Sequence, residues 1–489
     1  MTGKKENGYL TVYMALVLTV ILSLFLSLFE GVRCNTIRME AECMMQIGLN
    51  SVLGEYHRIL FADYNLLAVD SSYGTASPGC ENTGQHLTDY LERNMQCSEE
   101  DSGPLQEVLY QNFLKIKPKN TKVTKVSILT DGRGEIYRRE AAEAVRDDVG
   151  LTGLDTLLSW VETVEEKELE GRDLAEEKKQ ISEEIQKIRG KEVDSADDKW
   201  AGLLLDNPTD ELSMKRAENI LGLVLEDTSQ LSDAVLYDDG LILQRMKQGQ
   251  VDEGNLPIDE LPEEEALTMP FFFREYLMKY FGCYRREQEG ALKYQVEYFI
   301  IGQKTDPENL ENVVLRISSI RDAANLIYLM SDSEKYGQAK ALGSAVAVLL
   351  LKPDWKDVFT MSLVLSWAFA ESLYDVRQIM RGGRIPLMKT AETWHYSLDG
   401  ILGSLLDDGM DDMECKEGLS YEDYLRLLLA MTDLQSVTDR AMNLTEANIR
   451  RTPGNRHFCL DACYTALEAY TEVVSDYGYE LEITRTAKY

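Results

Sequence analysis

The sequence predicts a mainly helical α+β protein with one N-terminal transmembrane helix and two helix-rich domains that contain a few short strands. Two observations support this fold class. Residues 9–29 form a run of 21 positions without a charged side chain. In the rest of the chain, apolar residues recur mainly at spacings of three and four, which is typical of amphipathic helices, and only short segments alternate as strands do.

The apolar run is long enough to cross a membrane once. A bilayer core of about 30 Å requires about 20 apolar residues in a helix. Secretory signal peptides have shorter apolar cores, of about 7–15 residues, and end at small residues. Residues 29–34 (FEGVRC) offer no such site. A signal peptide and a buried core helix are the alternatives. Basic residues flank the run on both sides, so charge bias does not decide its orientation.

The same helix is predicted to continue beyond the apolar run. Apolar residues keep helical spacing after it, at Ile37, Ala41, Met45, Leu49, Val52, Tyr56 and Ile59. A helix unbroken to about Leu66 would be roughly 85 Å long, with one half in lipid and the other half packed on a folded domain. The alternative is a break near Gly31 followed by a separate amphipathic helix.

The predicted domain order follows from changes in composition and periodicity. Residues 122–129 alternate as a strand, 130–134 (TDGRG) supply a turn, and 135–149 are typical of a helix. Heptad-like spacing from Leu154 to Ile188 predicts a charged hairpin or coiled-coil arm. The predicted segments are a cytoplasmic leader (1–8), the transmembrane helix (9–30), a first α+β domain packed on the extended helix (31–150), the arm (151–195), an acidic interdomain region (196–265) and a mainly helical C-terminal domain (266–489).

Within the C-terminal domain, the patterns predict both helices and strands. Helices are expected at 307–331, 421–444 and 457–475, and strands at 292–301 and 479–483. The apolar runs 341–351 and 361–370 are too short to cross a membrane, so they predict a buried helical hairpin.

The chain is strongly acidic, since 84 acidic and 51 basic side chains give a formal net charge of −33. Nucleic acid is therefore not expected as a partner, because its phosphates would repel such a surface and no basic stripe with interleaved aromatic residues is present. The eight cysteines include no C-x-x-C pair. Cys80 and Cys97 are a candidate disulfide that would close a loop, and the alternative is that the cysteines are free thiols.

No motif for catalysis or cofactor binding occurs in the sequence. H-E-x-x-H, G-x-S-x-G, the Walker glycine loop and the dinucleotide fingerprint are all absent. Cys459 and Cys463 would share one helix face near His457, but a metal site needs a fourth ligand. The acidic run 407–414 does not fit the twelve-residue calcium loop. We therefore predict no catalytic, cofactor or metal site and expect a protein without enzymatic activity.

The N-terminal segment resembles that of TadE/TadG-like pseudopilins. The resemblance is carried by Gly8, by the opening of the apolar helix at 15–18 (ALVL) and by Glu30 at its outer end. It implies a membrane helix with a cytoplasmic N-terminus and a body outside the cell membrane. Gly8 is the point at which a pilin-type leader would be cleaved. Such leaders carry a glutamate five residues later, where this chain has Tyr13, so the anchor is expected to stay intact.

The predicted anchor and helix-packing residues are Tyr9, Tyr13, Ala15, Ser23 and Glu30. Small residues such as Ala15 and Ser23 permit the close approach of a second helix. The expected partners are accordingly the lipid bilayer and other pilin-like or Tad-type assembly proteins.

A second resemblance extends over the whole chain. It is carried by residues 55–74, 296–302 (VEYFIIG), 321–325 (RDAAN) and 419–425 (LSYEDYL). These segments are similar to an uncharacterised family of membrane-anchored proteins from Gram-positive anaerobes. The two resemblances imply a non-catalytic structural or assembly protein of the cell envelope, in a Tad-type pilus or secretion context. A tethered binding or sensing module and an envelope hydrolase are the alternatives.

Overall fold

The computed structural model describes residues 6–95, 115–151, 153–170, 177, 180–181, 183–185, 216, 219–237, 240–245, 254–398 and 417–489. The protein is mainly helical, with a small antiparallel sheet of four strands and one long apolar helix at its N-terminus. The predicted fold class is confirmed at this level.

The helices and strands have the following bounds. The α-helices are α1 (Glu6–Leu53), α2 (Arg58–Tyr64), α3 (Cys80–Met95), α4 (Asp131–Val149), α5 (Leu154–Glu166), α6 (Leu221–Val224), α7 (Glu263–Tyr280), α8 (Gln295–Ile301), α9 (Asp306–Ser331), α10 (Ser333–Leu349), α11 (Lys356–Arg381), α12 (Tyr421–Met431) and α13 (Leu434–Arg450). The strands are β1 (Val69–Asp70), β2 (Ile116–Ile128), β3 (Cys463–Ser475) and β4 (Glu480–Lys488).

The chain forms two compact units, each built from separate segments. Unit 1 contains Met1–Glu140, Gly240–Leu261 and Ile449–Tyr489, and unit 2 contains Ala141–Asp239 and Pro262–Asn448. In the predicted layout, 266–489 forms one C-terminal domain, whereas in the structure its last segment belongs to unit 1.

In unit 1, β3 is the central strand of the sheet. β2 pairs with one edge of β3, and β4 and the short β1 pair with the other, all antiparallel. α1 and α3 cover one face of this sheet. The core between them is formed by apolar side chains, including Ile37, Ala41, Met45, Leu49, Val52, Leu87, Leu91, Val123, Val126, Leu467, Ala469, Val473 and Ile483.

α1 is continuous past Gly31, as predicted, but it ends at Leu53 and not near Leu66. Its buried positions from Ile37 to Val52 confirm the predicted apolar stripe. Gly54 follows the helix end, and the side chain of His57 then caps a separate helix by accepting from Leu60 N at 3.1 Å. Glycine is a poor helix former and an N-cap starts a new helix, which accounts for the earlier break.

In unit 2, α9, α10 and α11 pack on one another around a core of large side chains, including Leu326, Leu329, Phe359, Val364 and Trp367. The predicted helical hairpin is present as α10 and α11, joined by a short turn at Pro353–Trp355. Ile185, from the predicted arm, is buried in the same core. Most of the second half of the arm lies outside the described residues.

Three predictions of secondary structure are wrong. Residues 295–301 form helix α8 and not a strand. Residues 463–475 form strand β3 and not a helix. The predicted helix 421–444 is two helices, α12 and α13, because the chain leaves helical geometry after Met431 and resumes at Leu434. The predicted strand at 122–129 and the helix at 307–331 correspond to β2 and α9.

Candidate functional site

Residues 9–29 of α1 are uncharged and mainly apolar, and all of them are exposed. The most apolar 18-residue window of the helix has a mean hydropathy of 2.5, and none of that window is buried. The run 9–29 is about 32 Å long at about 1.5 Å per residue, which matches a bilayer core of about 30 Å. Within the described part of the chain, this is the one helix long and apolar enough to cross a membrane.

The polar side chains of this run are satisfied within the helix. Thr19 Oγ1 donates to the carbonyl oxygen of Ala15 at 2.5 Å, and Ser23 Oγ donates to that of Val20 at 2.8 Å. Hydroxyls bonded in this way do not require water, so they are compatible with a lipid environment. Tyr9, Tyr13, Ala15 and Ser23 are all exposed, and their predicted roles in anchoring and packing remain predictions.

Glu30 lies at the junction between the apolar half and the folded body of unit 1. Its carboxylate accepts from Arg33 at 3.2 Å and from the hydroxyl of Tyr479, just before β4. The hydrogen bond to Glu30 raises the pKa of Tyr479. The guanidinium of Arg33 lies over the ring of Tyr477, 4.4 Å from its centroid. The turn between β3 and β4 is thereby attached to α1 at the end of the apolar run.

Beyond the junction, α1 and β4 run side by side. Arg485 donates to Glu42 at 2.7 Å, and the hydroxyl of Tyr489 donates to the carbonyl oxygen of Leu53. These contacts and the buried apolar stripe hold the second half of the helix on the sheet.

Unit 2 contains a second distinctive feature, a buried network of charged side chains. Asp375 Oδ2 accepts from Arg321 Nε at 3.0 Å and from Asn325 Nδ2 at 2.9 Å, while Oδ1 lies 2.6 Å from Lys389 Nζ. Lys389 also pairs with Glu371. Arg321, Asp375, Lys389 and Glu371 have side-chain exposures of 0%.

The charges of this network balance, and each one has partners. Burial alone would raise the pKa of Asp375, but the cations of Arg321 and Lys389 hold it below its ordinary value. Glu371 also accepts from the backbone N–H groups of His395 and Tyr396, at 2.8 and 2.9 Å. The network thus attaches an irregular segment to α9 and α11.

Glu297, in α8, is a buried carboxylate with fewer partners. Its Oε1 accepts from the backbone N–H of Tyr284 at 2.8 Å and from the hydroxyl of Tyr421 at 2.7 Å. Its Oε2 is buried without a hydrogen-bond partner among the described residues. Burial raises the pKa of Glu297 to about 7.

Three of the segments on which the second resemblance was based supply these buried polar groups. VEYFIIG contains Glu297, RDAAN contains Arg321 and Asn325, and LSYEDYL contains Tyr421. Sequence reasoning did not identify these buried groups, because their partners are distant in sequence and because RDAAN and LSYEDYL contain other polar residues that do not distinguish the buried ones. Glu297, the only charged residue in α8, was the available signal.

The structure places the other candidate residues as follows. Cys463 begins β3 and Cys459 precedes a short 3-10 turn, so the two cysteines do not share a helix face. No group of three metal-ligating side chains occurs among the described residues. Cys80 Sγ lies 3.4 Å from the hydroxyl of Tyr464. Cys97 and the acidic run 407–414 lie outside what the structure describes. Gly8 lies in α1, and its role as a leader cleavage point remains a prediction.

These features define a mainly helical protein with one candidate membrane helix, a small sheet attached to it and a buried polar core in its second unit. Residues 198–475 match the model of a family of unknown function, DUF5702. The match covers more than half of the chain, so the protein belongs to this family. Comparisons with curated proteins and with solved structures gave no match. Residues 1–197 lie outside the matched region, so the pseudopilin resemblance of the N-terminus remains a prediction.

Proposed function

We propose that the protein is a membrane-anchored structural or assembly component of the cell envelope, with a pseudopilin-like N-terminal helix and a non-catalytic body outside the membrane. One observation carries this proposal. A single continuous helix has an exposed apolar first half and a second half buried in unit 1. An exposed apolar surface of this size is unfavourable in water, whereas a bilayer would cover it.

The junction supports an anchor that stays attached to the body. A signal peptide is removed at the outer end of its apolar core. Here that end is occupied by Glu30 and Arg33, which contact Tyr479 and Tyr477. The helix also continues without a break to Leu53. Cleavage at this point would remove contacts that hold the helix on the sheet.

The topology can be tested by protease accessibility on intact protoplasts that carry a tag after Tyr489. The proposal expects the tag to be lost in intact cells, because the body lies outside the membrane. A tag that survives until the cells are lysed would contradict the proposal. N-terminal sequencing of the mature chain should give Met1 or Thr2, whereas a start at Tyr9 would show that a leader is cleaved after Gly8.

Lateral packing through the small residues can be tested by cross-linking in membranes. Ser23→Cys places a thiol on the face that also carries Ala15 and Thr19, which repeat at a spacing of four. Ile21→Cys is the matched control, because it lies on roughly the opposite side of the helix at about 100° per residue. Oxidation should give dimers with Ser23→Cys beyond the level of the unsubstituted chain. Equal dimer formation by both variants would indicate random collision.

A further inference from the structure

We infer that the turn between β3 and β4, residues 476–479, lies in the headgroup layer of the membrane, and that Lys115 and Lys117 bind the phosphates of anionic lipids there. This membrane collar rests on the proposed function, which makes α1 a membrane helix. Its residues all belong to unit 1.

The depth follows from helix geometry. Arg33 lies four residues beyond Phe29, the last residue of the apolar run, which is about 6 Å along the helix axis. A bilayer has a core of about 30 Å and a total thickness of about 40–45 Å, so each headgroup layer is roughly 5–7 Å thick. When the apolar run fills the core, Glu30 and Arg33 therefore lie in the headgroup layer.

The side chains that contact these two residues are of the type found at membrane interfaces. Tyr477 is 42% exposed and packs against the guanidinium of Arg33, and Tyr479 donates to Glu30. Tyrosine is enriched at both membrane interfaces because one end of its ring is apolar and the other polar. Tyr9 and Tyr13 occupy the opposite end of the same run.

The direction of the sheet places the turn at its membrane end. From Tyr479 to Tyr489, ten residues of strand cover about 33 Å. Their hydrogen-bond partners on α1 are Glu30 and Leu53. The 23 residues of helix from Glu30 to Leu53 cover about 35 Å. The two lengths agree, so β4 follows α1 away from the membrane, and the turn is the part of the sheet nearest to it.

The same end of the sheet carries basic side chains. Lys117 pairs with Val474, and the carbonyl oxygen of Lys115 accepts from the backbone N–H of Asp476 at 3.1 Å. Both lysine side chains are exposed. Residues 115–125 contain five lysines and no acidic residue, in a chain with a net charge of −33. Basic side chains beside a membrane helix bind anionic lipid headgroups.

The acidic neighbours do not cancel this arrangement. Glu30 is already bonded to Arg33 and to Tyr479. Asp476 and Glu480 are exposed, and Glu480 and Lys117 pair with Val474 from opposite edges of β3, so the central strand separates them. The tyrosines can lie in the headgroup layer of any lipid, whether zwitterionic or anionic. The lysines are attracted more strongly to anionic headgroups.

The collar can be tested with the full-length protein in vesicles that contain brominated lipids, which quench tryptophan on contact. Tyr477→Trp reports the turn, and Leu24→Trp reports the apolar run, five residues or about 7.5 Å inside its outer end at Phe29. Phe61→Trp, in α2 beyond the far end of α1, is a control that should not be quenched. The five native tryptophans all lie in the segments of unit 2, so the unsubstituted chain supplies the background.

Lipids brominated near the headgroup should quench Tyr477→Trp more strongly than lipids brominated near the chain ends, and the reverse order is expected for Leu24→Trp. Quenching of Leu24→Trp without quenching of Tyr477→Trp would overturn the collar and leave the anchor intact. A lack of quenching at both positions would overturn the anchor itself.

The phosphate contacts are tested by charge reversal in the Tyr477→Trp background. Lys115→Glu with Lys117→Glu should abolish most of the extra quenching seen in vesicles with phosphatidylglycerol over vesicles of phosphatidylcholine alone. If the extra quenching in phosphatidylglycerol vesicles is the same with and without the two lysines, the lysines do not bind phosphate and the tyrosines alone hold the turn at the membrane.

Discussion

Glu297→Gln should make unit 2 less sensitive to pH. Glu297 is fully buried, and its Oε2 has no hydrogen-bond partner among the described residues. Ionisation at this position therefore places a poorly compensated charge in the core. Glutamine retains an oxygen that accepts from Tyr284 and Tyr421 but cannot ionise. The charge of Asp306 also raises the pKa of Glu297, and the charge of Glu297 in turn raises the pKa of the Cys283 thiol.

The expected magnitude follows from linkage. Burial raises the pKa of Glu297 from 4.5 to about 7, and at about 1.4 kcal/mol for each pKa unit this shift corresponds to about 3–4 kcal/mol of folding free energy. Because the folded-state pKa is the higher one, this contribution to stability is complete below pH 4.5 and is lost as the pH rises through about 7. Between pH 5.5 and pH 8 the group should cost the folded state about 2 kcal/mol.

The assay is urea unfolding of the full-length chain in detergent, followed by tryptophan fluorescence, which reports unit 2. The free energy of unfolding of Glu297→Gln minus that of the natural chain should rise by about 2 kcal/mol from pH 5.5 to pH 8. A constant offset between the two chains, such as the cost of an unpaired amide, does not affect this difference. Glu289→Gln, at an exposed position, is the matched control. Parallel pH profiles for Glu297→Gln and the natural chain would refute the reasoning.

Two further predictions concern the folded body. Asp375→Asn should lower the free energy of unfolding of unit 2 by about 3–5 kcal/mol, because it leaves the buried cations of Arg321 and Lys389 undercompensated; a loss below about 1 kcal/mol in the same urea assay would show that the network contributes little. Gly132→Ala should destabilise unit 1 by about 1–3 kcal/mol, because Gly132 has φ +62° and an added Cβ would lie 2.8 Å from another side chain. Gly79→Ala, where nothing lies within 4 Å of the added atom, should be nearly neutral, and hydrogen exchange of unit 1 peptides measures both; equal effects would contradict the role of backbone conformation.

The features that were predictable from sequence are those specified by local periodicity. The apolar run and the stripe from Ile37 to Val52 repeat at helical spacing, and the structure contains both in one helix. β2 was recognisable because its side chains alternate and a glycine-rich turn follows it. Lys117 and Lys119 were a further signal at the start of β2, since residues two apart lie on one face of a strand.

The wrong predictions concern segments whose structure depends on distant partners. Residues 463–475 contain Ala, Leu and Glu, which favour a helix, but β2 and β4 pair with both edges and hold them as the central strand. Residues 295–301 alternate in part, yet the helix α8 is buried on all sides except at its end. In both cases nonlocal pairing and burial outweigh intrinsic propensity. The buried ion network was not predictable for the same reason, since Arg321 and Asp375 are 54 residues apart.

The family match and the membrane helix concern different parts of the chain. Residues 198–475 include much of unit 2 and β3, but neither α1 nor the turn that precedes β4. The contact between Glu30 and Tyr479 therefore joins two segments that both lie outside the matched region. The matched region contains the buried polar core of unit 2. The membrane role depends instead on α1 and its junction with the turn. A failure of the topology test would leave the family assignment unchanged, and a variant such as Asp375→Asn can unfold unit 2 without any bearing on the anchor.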